Sequence, residues 1–300
     1  MESEGLTNGM TVHPARWWTV APGGFVRCGL CPRACLIPDG GIGYCGVRRN
    51  QGGSLFSLSY GHPVSVAIDP IEKKPLRHFL PGTRVLSLGT FGCNLGCVFC
   101  QNHTLSRQGY STTEEWRMVP AQEIVRLTRE HGCPSLAFTY NEPTVFAEYA
   151  LDIANLARQE GLKTVLVSNG MISDEASEEL YPLIDAANID MKGFSEEFYH
   201  EMCGGNLAPV LNSLQRLKRL GVHLEITTLV IPGKNDSEEM TNAWLDWAEE
   251  NLGPETVLHF SAYFPAYRCR IPATPASTLY QIRDLCHARG FANVYLGNIR

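Results

Sequence analysis

The stretch Val85-Leu-Ser-Leu-Gly-Thr-Phe-Gly-Cys-Asn-Leu-Gly-Cys-Val-Phe-Cys100 joins an apolar run to three closely spaced cysteines. The apolar run, Val85–Phe91, is typical of a β-strand. The cysteines that follow, Cys93, Cys97 and Cys100, have the spacing C-x3-C-x2-C. Three thiolates can hold three corners of a four-iron cube and leave one iron open to a ligand, whereas a fully ligated cluster mostly transfers electrons. The stretch therefore predicts a strand followed by a loop that binds an iron–sulfur cluster.

Two other interpretations of these cysteines remain open from the spacing alone. They could form half of a zinc site, or they could be buried thiols that pack as small apolar groups. Gly92 and Gly96 favour the cluster, because glycine lets the backbone curl around an inorganic group. Three classes of protein follow from these readings: an enzyme with an open cluster, an iron–sulfur electron carrier without catalysis, and a structural zinc protein.

Composition indicates which partners and which cellular compartment to expect. The 300-residue chain is 44% apolar and 19% charged, which is ordinary for a globular protein. Its formal net charge of −6 predicts no broad attraction to nucleic acid or to an anionic membrane. We find no secretion signal in residues 1–27 and no apolar stretch of the roughly 18 residues that cross a bilayer. Eleven cysteines in such a chain predict a reducing, cytoplasmic location in which thiols serve metals.

Strand and helix patterns alternate from residue 84 to the end of the chain. The predicted strands are Arg84–Thr90, Ser135–Tyr140, Thr164–Ser168, Ala186–Met191, His223–Val230, Val257–Tyr263 and Asn293–Leu296. Such alternation predicts a parallel α/β sheet with right-handed crossovers. Six or seven units of this kind close, or nearly close, into a barrel whose functional residues lie at the C-terminal strand ends.

Helices are predicted between the strands, and the chain divides into two parts. The clearest helices are Val145–Gln159, Ser237–Asn251 opened by a capping box of Asp236 with Glu239, and a last helix that ends at Gly290. Residues 1–82 form a cysteine-rich N-terminal extension, with turns and extended chain near its end. Residues 83–300 form the core domain.

Polar side chains end three successive predicted strands. They are Asn141 and Glu142, Ser168 and Asn169, and Asp190 and Lys192. A carboxylate such as Glu142 is a natural acceptor for a charged ammonium group, and opposite charges at a strand end are costly unless they are paired or bound to a ligand. Three structural explanations remain open as well: a helix N-terminus at Glu142, a capped turn at Asn169, and a surface ion pair between Asp190 and Lys192.

A second group of cysteines precedes the barrel. Cys28, Cys31, Cys35 and Cys45 lie within eighteen residues, in the runs Cys28-Gly-Leu-Cys-Pro-Arg-Ala-Cys35 and Gly43-Tyr-Cys-Gly-Val-Arg48. Four thiols at this spacing in a reducing compartment predict a tetrahedral metal site. Zinc, a rubredoxin-like iron and a second cluster all remain open, as does a packing role without metal.

The sixth strand carries polar residues on one face, His259, Ser261 and Tyr263. Such a face suggests contact with an adenine or a substrate, and a satisfied core histidine explains the pattern equally well. Four further cysteines have no metal-binding spacing and are interpreted as structural: Cys133, Cys203, Cys269 and Cys286.

Together these motifs resemble the radical S-adenosylmethionine (SAM) superfamily, and within it the AmmeMemoRadiSam-system enzymes that are related to pyruvate formate-lyase activating enzymes. The resemblance is carried by Cys31-Pro-Arg33, Cys45-Gly-Val-Arg48, Asp69-Pro-Ile-Glu-Lys-Lys-Pro-Leu76, Gly92-Cys-Asn-Leu-Gly-Cys-Val-Phe-Cys-Gln-Asn102, Tyr140-Asn-Glu-Pro143 and Gly297-Asn298. It implies a partial (β/α)6-type, TIM-like barrel. It also implies a radical SAM oxidoreductase in which a 4Fe-4S cluster cleaves SAM reductively to a 5′-deoxyadenosyl radical that abstracts hydrogen from a substrate.

The resemblance also implies residue roles. Cys93, Cys97 and Cys100 bind the cluster, and Phe99 packs near the adenine. The SAM contacts are Asn141 and Glu142 at a Gly-Gly-Glu-type position, Ser168 and Asn169 at an Asp-Thr-Asn-Gly strand end, and Asp190 and Lys192 at an Asp-x-Lys motif. Tyr140 and Asn141 replace the two glycines, and Val167 replaces the first Asp.

Partners follow from the same resemblance. A flavodoxin or ferredoxin is the expected electron donor. The substrate is a glycine in a partner protein or a small molecule, and the family is associated genetically with Memo-like and AMMECR-type proteins. We expect no nucleic-acid or membrane partner.

Overall fold

The structure is a computed structural model that describes residues 5–7, 10–110 and 116–299. Up to residue 57 the described chain forms two small antiparallel sheets, one with the strand order β1-β2-β7-β6 and one with the order β3-β4-β5. The bounds are β1 Gly5–Thr7, β2 Met10–Pro14, β3 Trp18–Val20, β4 Val26–Cys28, β5 Leu36–Ile37, β6 Arg48–Gln51 and β7 Ser54–Ser57. The cysteine-rich segment is thus folded around short hairpins.

A single larger sheet forms the core. Its strands are β8 Ser65–Pro70, β9 Arg84–Gly89, β10 Ser135–Phe138, β11 Lys163–Ser168, β12 Ala186–Asp190, β13 His223–Val230, β14 Val257–Ala262 and β15 Val294–Gly297. Strands β9 to β15 are parallel and follow one another in sequence order, whereas β8 pairs with β9 in the antiparallel direction. The predicted parallel α/β sheet is confirmed. Strand β8 is new, because its segment was interpreted only as part of the N-terminal extension.

Helices connect the parallel strands. They are α1 His103–Arg107, α2 Ala121–Glu130, α3 Ala147–Gln159, α4 Asp174–Leu180, α5 Glu196–Phe198, α6 Ala208–Arg219, α7 Glu238–Asn251 and α8 Ala276–Ala288. Helix α3 begins two residues later than predicted, because Pro143–Phe146 forms a turn of 3-10 helix. The longest of these helices has 14 residues, and no helix of the described chain is long and apolar enough to cross a membrane.

The predicted capping box of α7 is wrong. The N-cap residue is Ser237, whose hydroxyl accepts a hydrogen bond from Met240 N, so the helix begins one residue later than the box requires. Asp236 instead accepts a hydrogen bond from Gly233 N and closes the preceding turn. Ser and Asp are comparable N-caps, and the tight turn before the helix decides between them.

The N-terminal end of the barrel is closed by the segment 71–82. Ile71 and Leu76 are fully buried there and pack into the barrel interior, against Val85, Ala137, Val165 and Ala186. The carbonyl oxygen of Pro75 accepts a hydrogen bond from Asn188 Nδ2 at 2.8 Å. The proline-rich run is therefore a plug in the barrel, rather than only a linker between two regions.

Two buried carboxylates lie at this closed end, and each is surrounded by donors of the chain. Asp69 accepts from Lys73 Nζ, Lys74 Nζ and Tyr140 Oη, and Glu225 accepts from Arg77 N, His78 N, His223 Nε2 and His259 Nε2. Burial opposes the charge on Glu225, but the donors outweigh it and lower its pKa from 4.5 to about 2. The pKa of Asp69 is lowered in the same way.

Candidate cofactor site

A cavity of about 280 Å³ opens at the C-terminal ends of the parallel strands. Most of the predicted site residues line it: Cys93, Cys97, Phe99, Cys100, Asn141, Glu142, Asn169, Asp190 and Lys192. A larger cavity of about 530 Å³ lies between α2 and α3, but charged surface residues such as Arg126 and Arg129 line it. The cavity at the strand ends is the candidate site, because thiols and charged groups converge there, at the end of the sheet where a barrel carries its chemistry.

The cysteine loop follows directly from β9. Cys93 Sγ accepts a hydrogen bond from Leu95 N at 3.3 Å and lies 3.7 Å from Asn169 Nδ2, while Cys100 Sγ lies 3.7 Å from Ser106 Oγ. Burial, followed by the nearby Glu142 carboxylate, raises the pKa of the Cys93 thiol, and burial also raises that of Cys100. Because cysteine binds a metal as the thiolate, metal binding at this loop must release the thiol protons.

The donor set fits a cluster better than a single ion. Three thiols of one loop line a shared cavity. This cavity of about 280 Å³ leaves far more space beside the thiols than one ion needs. A four-iron cluster keeps its thiolate ligands farther apart than one ion does, since each thiolate binds a different iron. The loop therefore fits a three-thiolate cluster with one open corner.

At two positions of this loop, contacts that the sequence did not reveal leave no room for a side chain, so glycine is required. A Cβ on Gly92, whose φ is +91°, would lie 2.5 Å from Cys45 O, and a Cβ on Gly96 would lie 2.3 Å from Tyr44 Oη. Both contacts are with the N-terminal extension. These glycines therefore let the N-terminal extension pack closely against the cysteine loop. They also give the backbone of the loop more conformational freedom.

Glu142 is the buried carboxylate of the cavity. Its side chain is 3% exposed and accepts hydrogen bonds from Thr144 N at 2.9 Å, Ser168 Oγ at 2.7 Å and Asn169 N at 2.8 Å. Glu142 also caps the 3-10 helix that follows, as the structural interpretation predicted. Burial nevertheless outweighs the three donors and raises the pKa of Glu142, and no Lys, Arg or His among the described residues forms an ion pair with this carboxyl group.

Asn141 and Tyr140 replace the glycines expected before Glu142, and both hold the site together. The Asn141 amide donates to Thr90 Oγ1, Phe91 O and Gly92 O, and its oxygen accepts from Thr90 N. Tyr140 has a φ of +70°, a conformation that favours glycine. This turn ends β10 two residues earlier than predicted.

Tyr140 is held in that conformation by contacts on both sides of the residue. Its carbonyl oxygen accepts from Asn102 Nδ2 at 2.8 Å, and its hydroxyl donates to Asp69 at 2.7 Å. The ammonium group of Lys74 lies 4.4 Å from the centre of its ring. A strained residue persists only where its surroundings fix it in this way.

Ser168 and Asn169 bind other parts of the site. Besides donating to Glu142, the Ser168 hydroxyl accepts from Gly170 N at 3.1 Å. Asn169 Nδ2 donates to Asn94 Oδ1 at 2.9 Å, and Asn169 Oδ1 accepts from Met171 N at 2.8 Å. The structure thus brings Asn169 to the cavity wall, where it contacts the cysteine loop, and places Ser168 next to Glu142 outside the cavity lining.

Asp190 and Lys192 form an ion pair inside the cavity rather than on the outer surface. Lys192 Nζ lies 2.6 Å from Asp190 Oδ2. Burial disfavours the charged amine, but Asp190 and the neighbouring Cys97 outweigh it and raise the pKa of Lys192 well above its ordinary value. Lys192 is therefore a permanent positive charge beside the cysteine loop.

Sequence reasoning missed Cys203 and part of the cavity wall. Gly96 N donates to Cys203 O at 2.8 Å, and the Cys203 thiol contacts Cys97, whose pKa that contact lowers. Thr227, Ser261 and Asn298 also line the cavity. The strand pattern did include Ser261, but its partner on that face, His259, binds Glu225 deeper in the barrel.

Comparison with known proteins agrees with this geometry. The family model described as "Radical SAM superfamily" matches residues 87–245, more than half of the chain. The chain belongs to the radical SAM superfamily. It is 41% identical over 275 residues to an uncharacterized protein of Methanocaldococcus jannaschii, a match that covers 91% of this chain and 81% of that protein. It is also 25% identical to pyruvate formate-lyase 1-activating enzyme of Escherichia coli over 53% of this chain and 65% of that enzyme.

A solved structure supports the fold. SuiB of Streptococcus suis, in a crystal structure bound to S-adenosylmethionine, superposes with a TM-score of 0.54 at 17% identity. The superposition covers 72% of this chain and 52% of the SuiB chain, so this chain spans about half of SuiB's length. The partial TIM-like barrel predicted from the sequence is confirmed.

Proposed function

We propose that this protein is a radical SAM enzyme that binds a 4Fe-4S cluster and SAM in the cavity at the C-terminal strand ends. The observation that carries the proposal is that three thiols and the buried carboxyl group of Glu142, which forms no ion pair among the described residues, line one cavity. When bound, the cluster and SAM supply the reductive cleavage that yields a 5′-deoxyadenosyl radical, which abstracts hydrogen from a substrate.

Different residues of the cavity would bind the cluster and SAM. Cys93, Cys97 and Cys100 would hold the cluster. Glu142 would accept the SAM ammonium group, since a cation restores the electrostatic balance that burial removes from this carboxylate. Phe99, which is 3% exposed, would pack against the adenine and exclude water.

Two further groups would orient the bound nucleoside. Lys192 offers a positive charge to the SAM carboxylate, and Asp190 fixes the direction of that amine. Ser168 and Asn169 contribute through Glu142 and Cys93, because their hydrogen bonds already go to those residues. Asn141 has the same supporting role for the start of the cysteine loop.

The substrate class and partners are proposed by analogy with the named relatives. We propose a flavodoxin or ferredoxin as electron donor, and a protein glycine or a small molecule as hydrogen donor. The likeness to pyruvate formate-lyase 1-activating enzyme favours the protein glycine. Memo-like or AMMECR-type partners remain predictions from the sequence.

An electron carrier without SAM chemistry is the second candidate. It would explain three buried thiols, but it gives no role to Glu142 or Lys192 in the adjoining cavity. A structural zinc protein would need four converging ligands at the loop. The loop supplies three thiols, one fewer than a closed zinc site needs, and they line a cavity of about 280 Å³.

Anaerobic reconstitution tests the proposal. The full chain would be loaded with iron and sulfide, reduced, and incubated with SAM, and 5′-deoxyadenosine would be measured by chromatography. We expect product from the native protein and from Cys133→Ala, a buried cysteine outside the site, and background levels from Cys93→Ala, Cys97→Ala or Cys100→Ala.

Two results would contradict the proposal. One is a cluster-loaded native protein that forms no 5′-deoxyadenosine and whose visible spectrum does not respond to SAM. The other is a variant of the three cysteines that keeps both properties.

A further inference from the structure

The four cysteines of the N-terminal extension come together in space. Cys28, Cys31, Cys35 and Cys45 line a single cavity, and all are free thiols. This cavity measures about 20 Å³, compared with about 280 Å³ for the cofactor cavity. A site that holds one water needs roughly 10–15 Å³ by the same measure. There is room for one ion, but not for the eight atoms of a four-iron cube.

Burial raises the pKa of three of these thiols, and backbone N–H groups around the cavity oppose that shift. The backbone N–H groups of Leu30, Arg33 and Val47 each interact with the sulfur of the cysteine two residues earlier. Leu95 N makes the same contact with Cys93 in the cluster loop. Hydrogen bonds of this kind stabilise the charged sulfur that a metal requires.

Arg48 adds a second, independent observation. Its side chain is 1% exposed and lines the cysteine cavity, and its Nε–H is buried without a hydrogen-bond partner. The rest of the guanidinium group is occupied, with Nη1 donating to Glu148 Oε1 at 2.8 Å and Nη2 donating to Arg16 O. A buried donor without a partner is costly, and metal-bound thiolates next to it would supply both an acceptor and a negative charge.

We propose that Cys28, Cys31, Cys35 and Cys45 bind one thiophilic divalent ion, zinc or iron, which fixes the N-terminal extension against the cluster loop. Four thiolates in tetrahedral array select such ions. Within the described ranges the four thiols do not yet converge on a point, so each must turn about its single side-chain torsion as the ion binds.

The proposed ion lies directly behind the cluster loop. Asn94, between two of the cluster cysteines in sequence, lines the same cavity and contacts Cys31. The guanidinium group of Arg33 donates to Asn94 O and stacks on the Tyr44 ring, with its Cζ atom 3.6 Å from the ring centre. The ion would thus hold in place the segment whose backbone and ring fit against Gly92 and Gly96.

The test isolates this site within the full chain. A variant with Cys93, Cys97 and Cys100 all changed to alanine keeps only the N-terminal set, and Co²⁺ alone would be titrated into it without oxygen. We expect one equivalent to bind, with the intense visible absorption of tetrahedral cobalt thiolate. Adding Cys45→Ser should abolish that absorption, whereas adding Cys286→Ser, a buried cysteine elsewhere, should leave it unchanged.

A second measurement does not depend on how the Cys45 variant folds. In the triple-alanine protein, bound Co²⁺ should protect all four N-terminal cysteines from alkylation, as read by mass spectrometry.

A third measurement uses the otherwise native chain. There, Cys45→Ser should lower the iron bound after reconstitution, and Cys286→Ser should not.

Four results would overturn the proposal. Two of them concern cobalt: the triple-alanine protein shows no cobalt–thiolate absorption, or adding Cys45→Ser leaves its spectrum unchanged. The third is sulfide bound by the triple-alanine protein after treatment with iron and sulfide. The fourth is full iron loading of the otherwise native chain that carries Cys45→Ser. Because the test protein lacks the cluster ligands, its outcome is independent of whether the native chain cleaves SAM.

Discussion

Two buried glutamates at opposite ends of the barrel differ in how their charge is balanced. Glu225 at the closed end and Glu142 at the open end are 0% and 3% exposed. Donors that include two histidines lower the pKa of Glu225 to about 2, whereas burial prevails at Glu142 and raises its pKa. The closed end is thus complete within the chain. The open end keeps a buried carboxyl group whose charged form burial disfavours, as a site for a cationic ligand does.

The largest expected effect is on stability at the closed end. Glu225→Gln removes a charge on which four donor residues converge and should lower the free energy of unfolding by about 3 kcal/mol at pH 7. Because the pKa of Glu225 is lowered from 4.5 to about 2, its contribution is present above pH 4.5 and is lost as the pH falls towards 2.

Urea unfolding of the full chain, prepared without added iron, checks this prediction. The difference between native protein and variant should shrink as the pH falls from about 4.5 to about 2. The exposed Glu197→Gln serves as control. A gap that is small at neutral pH, or constant across the acid range, would show that the network around Glu225 adds no stability.

The same change at the open end should affect binding instead. Glu142→Gln replaces a charged acceptor by a neutral one, so SAM should bind roughly 10- to 100-fold more weakly to the reconstituted protein. The free energy of unfolding of the SAM-free protein should fall less than in Glu225→Gln, because burial outweighs the hydrogen bonds that Glu142 accepts and raises its pKa. Equilibrium binding of labelled SAM measures the first effect and urea unfolding the second. A loss of stability with unchanged binding would make Glu142 only a helix cap.

Lys192 sharpens the comparison with a positive charge. Lys192→Met keeps much of the volume but removes the amine that pairs with Asp190, and we expect SAM affinity to fall about 10-fold. Lys192→Arg should recover part of the affinity, since it restores the charge with a different shape. Titration with SAM followed by visible absorption provides the measurement. Equal affinity in the Met and native proteins would exclude Lys192 from the binding site.

Tyr140 connects the two ends and should show the smallest effect. Tyr140→Phe removes the hydroxyl that donates to Asp69 but keeps the ring and backbone, so stability should fall by about 1 kcal/mol. Formation of 5′-deoxyadenosine by the folded, reconstituted protein should stay within about twofold, since the backbone turn before Glu142 is retained. Tyr280→Phe, on an exposed ring, is the matched control. A large loss of turnover without loss of stability would place the hydroxyl in the reaction itself.

The sequence predicted well which side chains meet at the open end of the barrel, because their arrangement follows from local patterns. The cysteines Cys93, Cys97 and Cys100 lie on one loop, and parallel strands place Glu142, Asp190 and Lys192 at a common edge. It failed where partners are distant in sequence. The contact of Cys203 with Cys97 and the burial of Glu225 depend on neighbours that no motif connects.

The sequence alone determined the class of fold, the cysteine loop and most of the residues that line the cavity at the C-terminal strand ends, since spacing and alternation are properties of short segments. Only the tertiary structure revealed the plug formed by residues 71–82, the shared cavity of the four N-terminal cysteines, and the opposite charge balance of Glu142 and Glu225. Each of these depends on which groups meet after folding. Burial and the number of nearby donors, rather than residue type, decide whether the pKa of a carboxyl group is lowered, as at Glu225, or raised, as at Glu142.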